Sequence, residues 1–345
     1  MSDLRPNASE LDGAAQLLAS AHARVAAAAA DLAIVSELRL SERQRATLGT
    51  LLPKLLRAIE DELRAELATA FGDEALRAAL SSAHLEIAGP ILARARASTD
   101  LPLVAALLRR SDEHRLHRSG VPAEKTLLID LAGDHDAGIA AEAMGLLIAQ
   151  SARFDPFQEP LLIRSDLPAE LEHHLVWTVA AALRHYVVMR HQMPASETDG
   201  KIAAAAARLL AGYDEGATLE AHCLRLAGAL DRSGRLDDPL ALRALTEAGL
   251  PLFLAVLAVR TRLAPSAVWE ILSARGGRGA ALLLRAAGIA REQAGAILLA
   301  LAADEAALVP LLDFFDGLSA ADAEALLTLW RADPAYRAAV ARLAS

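Results

Sequence analysis

The sequence predicts an all-α protein in which a long N-terminal helical hairpin or small bundle is followed by a stack of short helices. Three observations predict this fold class. Ala and Leu dominate the composition, whereas aromatic residues make up 3% and β-branched residues are sparse, which favours helix over sheet. Apolar residues recur every three or four positions, the period of an amphipathic helix. Proline at first-turn positions and glycine at segment ends divide most of the chain into short helices.

Two long amphipathic helices are predicted in the N-terminal segment. Apolar side chains step by three and four through residues 11–32 and again through 48–67. Ser41 followed by Gln44 is a capping box for the second of these helices. A two-helix hairpin cannot bury both of its faces. We therefore expect it to pack on the next helix, residues 73–97, or on a second copy of itself in a homodimer.

From residue 98 onward the predicted helices are short and apolar on one side. A pair of such helices leaves one apolar face uncovered, and stacking on the next pair buries that face. Repeated stacking of this kind is typical of an α-solenoid. These helices are predicted at residues 101–110, 111–118, 122–132, 137–152, 168–192, 201–210, 218–231, 239–248, 251–262, 265–274, 279–287, 291–302, 305–315, 320–331 and 334–343.

The polar stretch 193–199 is the clearest candidate for a boundary between parts of the chain. The helix before it, residues 168–192, is apolar nearly all round in its middle, so we predict that it lies centrally and that Trp177 is a large buried anchor. Three segments are therefore predicted: an N-terminal hairpin or bundle over 1–97, helical repeats over 98–193 and C-terminal helical repeats over 194–345.

The charge of the chain argues against nucleic acid as a partner. The sequence has 35 basic and 44 acidic residues, a net charge of −9, and binding to phosphates needs a surplus of Lys and Arg. No apolar run reaches the ~18–20 residues of a bilayer span, and the polar N-terminus lacks a signal-peptide core. A cytoplasmic protein without a membrane span is therefore predicted. The single cysteine, Cys223, shares a helical face with leucines and is predicted to be a core residue.

The most basic short stretch is a candidate interaction patch. His114 and His117, three positions apart on one helical face, could hold a metal together with His135 or Asp112. The arginines around them would repel a dication, so a solvated helix without a metal is the favoured interpretation. An acidic partner helix or a phosphate could dock there instead. The patch comprises Arg109, Arg110, His114, Arg115, His117 and Arg118.

Other conspicuous residues have simpler interpretations. The histidines at 173, 174, 185 and 191 lack the spacing of a shared metal site and are expected at the surface. The run 60–62 of three acidic residues is expected on a solvated helix face. Residues 276–279, with three glycines and an arginine, form an interhelical turn rather than an anion site, because no strand precedes them. No motif of a known catalytic class occurs, so neither enzymatic activity nor a cofactor is predicted.

One stretch resembles a known family. Residues 157–162 read Phe-Gln-Glu-Pro-Leu-Leu, and they are followed by Arg164, Asp166-Leu167-Pro168, Glu170-Leu171 and Trp177. Together with residues 111–116 and 133–136, this pattern resembles the bacterial family called domain of unknown function twenty-three thirty-six, most clearly over 98–193. The resemblance implies HEAT-like helical repeats, and it implies no known activity. Asp166 is expected to cap the helix that follows it.

The predicted function is that of a scaffold or regulator which binds an unknown protein or peptide on the concave face of stacked helices. Two alternatives stay open. A nucleic-acid repair enzyme of HEAT-like type would need Arg109, Arg110 and their neighbours to converge around an aspartate. A phosphorelay regulator would use His22, which lies on the apolar seam of the first long helix.

Overall fold

The computed structural model describes residues 40–95, 100–119, 126–274, 277–301 and 308–344, and within these ranges the protein is all-α, as predicted. By internal contacts the chain divides into two units, Met1–Gly49 and Thr50–Ser345. In the described ranges there is no strand, only an isolated bridge between Phe154 and Pro160. The seventeen described α-helices are α1 Glu42–Ala70, α2 Glu74–Leu80, α3 Ala88–Ala95, α4 Leu101–Ser119, α5 Leu127–Ala132, α6 Ala137–Ser151, α7 Ala169–His191, α8 Ala195–Ala211, α9 Leu219–Arg232, α10 Asp238–Arg243, α11 Leu250–Thr261, α12 Pro265–Leu272, α13 Arg278–Ala286, α14 Arg291–Leu301, α15 Leu308–Gly317, α16 Ala320–Leu327 and α17 Pro334–Ala344.

Helix α1 is the second of the two long helices that the sequence predicts. Its start forms the predicted capping box: the Ser41 N–H donates to Gln44 Oε1 (3.1 Å), and the Gln44 N–H donates to Ser41 Oγ (3.2 Å). The helix continues through Pro53 and buries a stripe of apolar side chains. The other predicted long helix, residues 11–32, and its histidine His22 lie outside the described residues, so the hairpin and the homodimer stay predictions.

The segment 73–97, predicted as one helix, contains two helices, α2 and α3, joined by a turn that lies against α1. Arg64 of α1 is buried and donates through Nε to the carbonyl at the end of α2 (2.8 Å). Glu60, expected on a solvated face, is also buried, and its carboxylate accepts from the N–H groups of Ile87 (3.0 Å) and Ala88 (2.8 Å) at the start of α3. These two side chains satisfy backbone groups that one continuous helix would have paired internally.

One predicted break is absent, and another is shorter than predicted. Residues 101–110 and 111–118 form one helix, α4, in which Ser111 is buried within the helix instead of capping a new one. Only three residues, 192–194, separate α7 from α8, and α8 begins inside the polar stretch 193–199. Gln192 takes the left-handed conformation that ends α7. Helices α7 and α8 pack against each other as a hairpin. The segment boundaries after residues 97 and 193 stay predictions.

Helix α11 lies at the centre of the core of the unit Thr50–Ser345. Ten of its twelve residues are buried, and Phe253 is fully inaccessible. It packs against α4, α9, α12 and α13, and α9 packs against α6 although α7 and α8 intervene in sequence. Helices that are distant in sequence are therefore direct neighbours, while the HEAT-like superhelix stays a prediction. No single described helix is long and apolar enough to cross a membrane, and α11 and α12 meet that criterion only as a pair bent by 107°.

Helix α7, predicted to lie centrally, has a buried side and an exposed side. Leu175, Val179 and Leu183 are buried. Trp177, predicted as a buried anchor, is 37% exposed, and its indole N–H donates to His173 Nε2 (3.1 Å). This prediction was wrong because a nearly continuous apolar run does not reveal how many of its sides neighbouring helices cover.

The turn between α12 and α13 allows a close approach at Gly279. Gly277 in this turn has a φ of +69°, a conformation that favours glycine. A Cβ at Gly279 would clash with the carbonyl oxygen of Ile271 in α12. Gly279 therefore has a structural reason in the packing of the two helices, and Gly277 has one in its backbone conformation.

Replacing Gly279 with alanine is expected to lower the free energy of unfolding by about 2–3 kcal/mol, because α12 and α13 must move apart to admit the methyl group. Urea denaturation measures the change. Gly200→Ala in α8 is the control, since a Cβ there would meet nothing within 4 Å, and alanine favours helix. Equal stability of G279A and wild type would contradict the close contact.

Candidate functional site: a cleft beside a buried ion network

The predicted interaction patch does not form one surface. Its six members, Arg109, Arg110, His114, Arg115, His117 and Arg118, all lie on α4. Arg110 and His114 are buried and Arg109 is partly buried, whereas His117 and Arg118 are exposed. Arg115 lies 3.6 Å from the carboxylate of Asp112. The docking of an acidic helix or a phosphate on these six residues stays a prediction.

Two of these arginines belong to a buried cluster that joins α4, the connection between α6 and α7, and the first turn of α9. We call it the ion network. It contains three guanidinium groups and three carboxylates, and each carboxylate is bound by a guanidinium, so the formal charges cancel. Its members are Arg109, Arg110, Glu113, Arg153, Asp166 and Glu220.

Arg153 is the centre of the ion network. Its Nη2 lies 2.7 Å from Glu113 Oε2, and its Nε lies 2.6 Å from Asp166 Oδ2. Arg110, only 3% exposed, donates through Nη2 to the Arg153 carbonyl (2.7 Å) and through Nε to the Leu161 carbonyl (2.8 Å). Ion pairs and backbone hydrogen bonds together hold the connection between α6 and α7 against α4.

Arg109 extends the ion network to a third element. Its Nε lies 3.2 Å from Glu113 Oε1, and its Nη1 lies 2.9 Å from Glu220 Oε2. Glu220 is placed there because α9 begins at Leu219, after Thr218, whose hydroxyl accepts from the Ala221 N–H (3.1 Å). The cap on α9 therefore fixes the carboxylate that partners Arg109.

The connection that carries Arg153 and Asp166 is itself fixed by hydrogen bonds. The Asp155 carboxylate accepts from the N–H groups of Phe157 and Glu159 (both 2.9 Å), and it lies 2.8 Å from Lys54 Nζ. Phe157 is 86% exposed in this turn. Asp166 was expected to cap α7, but its carboxylate binds Arg153 instead, and the α7 cap has no side-chain hydrogen bond.

Burial and neighbouring charges set the pKa values in the ion network. Burial alone would raise the pKa of Glu113, but Arg153, Arg109 and Arg110 hold that pKa below its usual value. Burial raises the pKa of Asp166, against the effect of Arg153 and together with the nearby charge of Glu113. Burial and the charge of Arg153 lower the pKa of Arg110 to about 10. Burial therefore outweighs the neighbouring arginine at Asp166 but not at Glu113.

A cleft of about 390 Å³ borders the ion network. This cavity, called the cleft below, is lined by all six residues of the ion network. It is enclosed by α4, α9, α12 and the segments before α7 and α9. Its further polar or aromatic lining residues are Tyr213, Glu215, Thr218, Ser266, Trp269 and Glu270.

Carboxylates outnumber guanidiniums in the lining of the cleft by five to three. Glu270 is half-exposed and is paired with Arg337 Nη2 at 3.0 Å, a residue that does not line the cleft. Glu215 is exposed and forms no ion pair with any residue that the structure describes. Asp166 Oδ2 binds Arg153, while Oδ1 accepts no hydrogen bond from the described part of the chain. The cleft can therefore offer carboxylate oxygens to a ligand.

Two aromatic side chains stand among these carboxylates. The Tyr213 hydroxyl donates to the Leu167 carbonyl (2.9 Å), which fixes its ring. Burial and the nearby carboxylate of Glu215 raise the pKa of Tyr213, so the phenol stays protonated at neutral pH. Trp269 of α12 is partly buried and contributes a second ring. Aromatic faces beside carboxylates are the surroundings that an organic cation prefers.

The remaining predicted residues do not form a site in the described part of the chain. No group of three or more His, Cys, Asp or Glu residues there could hold a metal ion. His173 and His185 of α7 are exposed, and His174 lies 2.8 Å from Asp100. Cys223 is buried in the core, as predicted, and burial raises the pKa of its thiol. A thiol of this kind is unreactive.

The sequence pattern indicates Arg109 and Arg110 as unusual residues, but it does not indicate their partners. Arg153 and Asp166 lie in an irregular connection, where no helical period indicates which side chains face inward. The pattern around Trp269 predicts only a short helix. One feature of the sequence could have indicated the ion network: charged residues are frequent in and around segments that are otherwise apolar. Charged side chains in such places are usually paired with one another.

The described part of the chain combines an all-α fold with a cleft whose lining is acidic and aromatic. The family model described as "Uncharacterised protein conserved in bacteria (DUF2336)" matches residues 87–328. That span is more than half of the chain, so the protein belongs to this family, and the resemblance noted in the sequence is confirmed. Searches of curated proteins and of solved structures gave no match.

Proposed function

We propose that this protein is a binding module and that the cleft receives an arginine or lysine side chain of a partner protein. The observation that carries the proposal is the surplus of carboxylates over guanidiniums in the lining, beside Tyr213 and Trp269. The volume, about 390 Å³, lies in the range of typical ligand pockets. A single long basic side chain fits such a volume.

The charges of the cleft favour a cation. The three lining arginines are neutralised by Glu113, Asp166 and Glu220 within the ion network. Glu215 then leaves a negative field at the opening, because it has no ion-pair partner among the described residues, whereas Glu270 is paired with the buried Arg337. The net charge of −9 would also attract a basic partner at long range.

Arginine is the better fit of the two basic side chains. A guanidinium can donate two parallel hydrogen bonds to one carboxylate and can stack on an aromatic face, whereas an ammonium group does neither as well. The cleft offers both kinds of contact, through Glu215 or Glu270 and through Trp269. We therefore propose an arginine-bearing segment as the preferred ligand.

The two alternative functions receive less support. Binding of nucleic acid around an aspartate would need uncompensated arginines, but Arg109 and Arg110 lie in a cluster whose charges cancel. Because these arginines and their carboxylates are engaged with one another, we propose a non-enzymatic role without a cofactor. A phosphorelay through His22 concerns residues outside the described ranges.

The proposal can be tested by 19F NMR of the full chain labelled with 5-fluorotryptophan, which gives one signal for each of the three tryptophans. We expect a short peptide with one arginine to shift the Trp269 signal, and the same peptide with citrulline to leave it unchanged. The double variant Glu215→Gln/Glu270→Gln should bind the arginine peptide about fivefold more weakly, because two carboxylates are lost.

The matched control is Glu292→Gln, which removes a charge from an exposed position on α14 that does not line the cleft. This variant should bind the arginine peptide like the wild type. Equal shifts with arginine and citrulline, an unchanged Trp269 signal, or equal weakening by the Glu292 substitution would each reject the cleft as a site for basic side chains.

A further inference from the structure

We infer a second docking site, separate from the cleft: the groove between α3 and α7 binds an amphipathic partner helix with acidic side chains along its edges. The groove has a volume of about 670 Å³ and is open to solvent. Ile91 and Arg94 line its α3 side, and Trp177 and Ala181 line its α7 side. This inference goes beyond the proposed function because it uses none of the residues of the cleft.

The length of the groove suits a helix. Along α7 it runs from His174 to His185, which is about 16 Å, or about three helical turns, at the rise of an α-helix. A partner helix that docks in such a groove contacts it through residues three and four positions apart. The small side chains of Ala95 and Ala181 leave room for its backbone to approach.

Trp177 supplies the anchor for the contact. The ring is 37% exposed, although a side chain of this size is usually mostly buried. Its indole N–H already donates to His173 Nε2 (3.1 Å), so a partner could cover the ring without stranding a polar group. Tryptophans in apolar pockets are among the residues that contribute most to protein–protein binding.

The charges along the rim select the partner. Among the described residues, the lining contains Arg94, His174 and His185 and no carboxylate, in a protein whose net charge is −9. Asp100, an acidic residue beside the groove, is paired with His174 at 2.8 Å. Glutamates on the edges of a partner helix would meet Arg94 and the imidazoles, whereas lysines there would meet a charge of the same sign.

The probe is a fluorescein-labelled synthetic helix of about 18 residues, long enough to hold some helical structure alone. It has leucine at alternating spacings of three and four residues, and glutamate on both flanks. We expect its fluorescence anisotropy to rise on titration with the full chain. A second peptide with glutamine in place of every glutamate, which offers no basic side chain to the cleft, should bind at least about fivefold more weakly.

Two surface substitutions on α7 test whether the glutamate peptide binds in the groove or elsewhere on the protein. Ala181→Glu places a bulky carboxylate in the groove and should weaken the binding of the glutamate peptide at least about tenfold. Met189→Glu makes the same change in charge at a position that is 67% exposed and outside the groove, and it should leave binding unchanged. Both positions are exposed, so neither variant should lose its fold.

Three outcomes would overturn the inference. The first is that the glutamate peptide does not bind the wild type. The second is that the glutamine peptide binds the wild type equally well, or that the glutamate peptide binds the Ala181→Glu variant equally well. The third is that acrylamide fails to quench Trp177 in the variant Trp269→Phe/Trp330→Phe, because the chain itself would then cover the groove. These readouts do not involve the Trp269 signal, so failure here and failure of the cleft can be distinguished.

Discussion

Replacing Arg153 with methionine is expected to lower the free energy of unfolding by about 3–5 kcal/mol, because the substitution removes the cation of a buried network and leaves its carboxylates in place. Glu113 and Asp166 would stay in the interior without the cation that lies 2.7 Å and 2.6 Å from them. The lost interactions would also loosen the connection between α6 and α7. Urea denaturation of the full chain at pH 7 measures the effect.

The pH dependence of the same variant gives a more specific test. In the wild type the pKa of Glu113 is lowered, so its stabilisation is present above the pKa of the unfolded chain and is lost as the pH falls through the folded-state value. Without Arg153, burial would raise the pKa of the carboxylates. A folded state that binds protons more readily than the unfolded state gains stability as the pH falls. The difference in the free energy of unfolding between Arg153→Met and the wild type should therefore become smaller at acidic pH.

The matched control is Arg208→Met. Arg208 lies 2.7 Å from Glu66, but both side chains are about half-exposed, and ion pairs of this kind contribute little. We expect this variant to unfold like the wild type at every pH. Parallel stability curves for Arg153→Met and wild type across the acidic range would show that the ion network does not depend on Arg153.

Local chemistry explains which helices could be predicted from the sequence. Ser41, Thr218 and Ser319 each accept a hydrogen bond from a backbone N–H three residues on, and this cap is visible in the sequence. Ser111 has the same chemistry, but it lies within α4, where the buried face of the helix continues on both sides of it. Capping residues therefore mark where a helix can start, and packing decides whether it does.

The site was less predictable than the helices because its contacts join distant residues. Arg109 and Glu220 are 111 positions apart, and Arg110 and Arg153 are 43 apart. The charge density of α4 singled out the arginines correctly as unusual. Nothing in the local pattern shows that an irregular connection returns to α4 with Arg153 and Asp166. The same limit applies to Trp177, whose exposure depends on the absence of a covering helix among the described residues.

Replacing Phe253 with alanine is the other substitution with a large expected effect. The ring is fully buried in α11, so its removal should lower the free energy of unfolding by about 3–5 kcal/mol through lost burial and a cavity. Phe157→Ala is the matched control, since Phe157 is 86% exposed and its loss should change stability by less than about 0.5 kcal/mol. Urea denaturation followed by circular dichroism measures both variants.

The shape of the Phe253→Ala transition distinguishes a shared core from a repeat stack. Helix α11 packs on α4 from the N-terminal side of the sequence and on α13 from the C-terminal side, so all of these helices should lose their support together. We expect circular dichroism and tryptophan fluorescence to report one coincident transition at a lower urea concentration. In a linear stack each repeat depends only on its neighbours, and the same substitution would split the transition into separate steps. Separate steps would therefore favour the HEAT-like superhelix, whereas a single shifted step would indicate a core organised around α11.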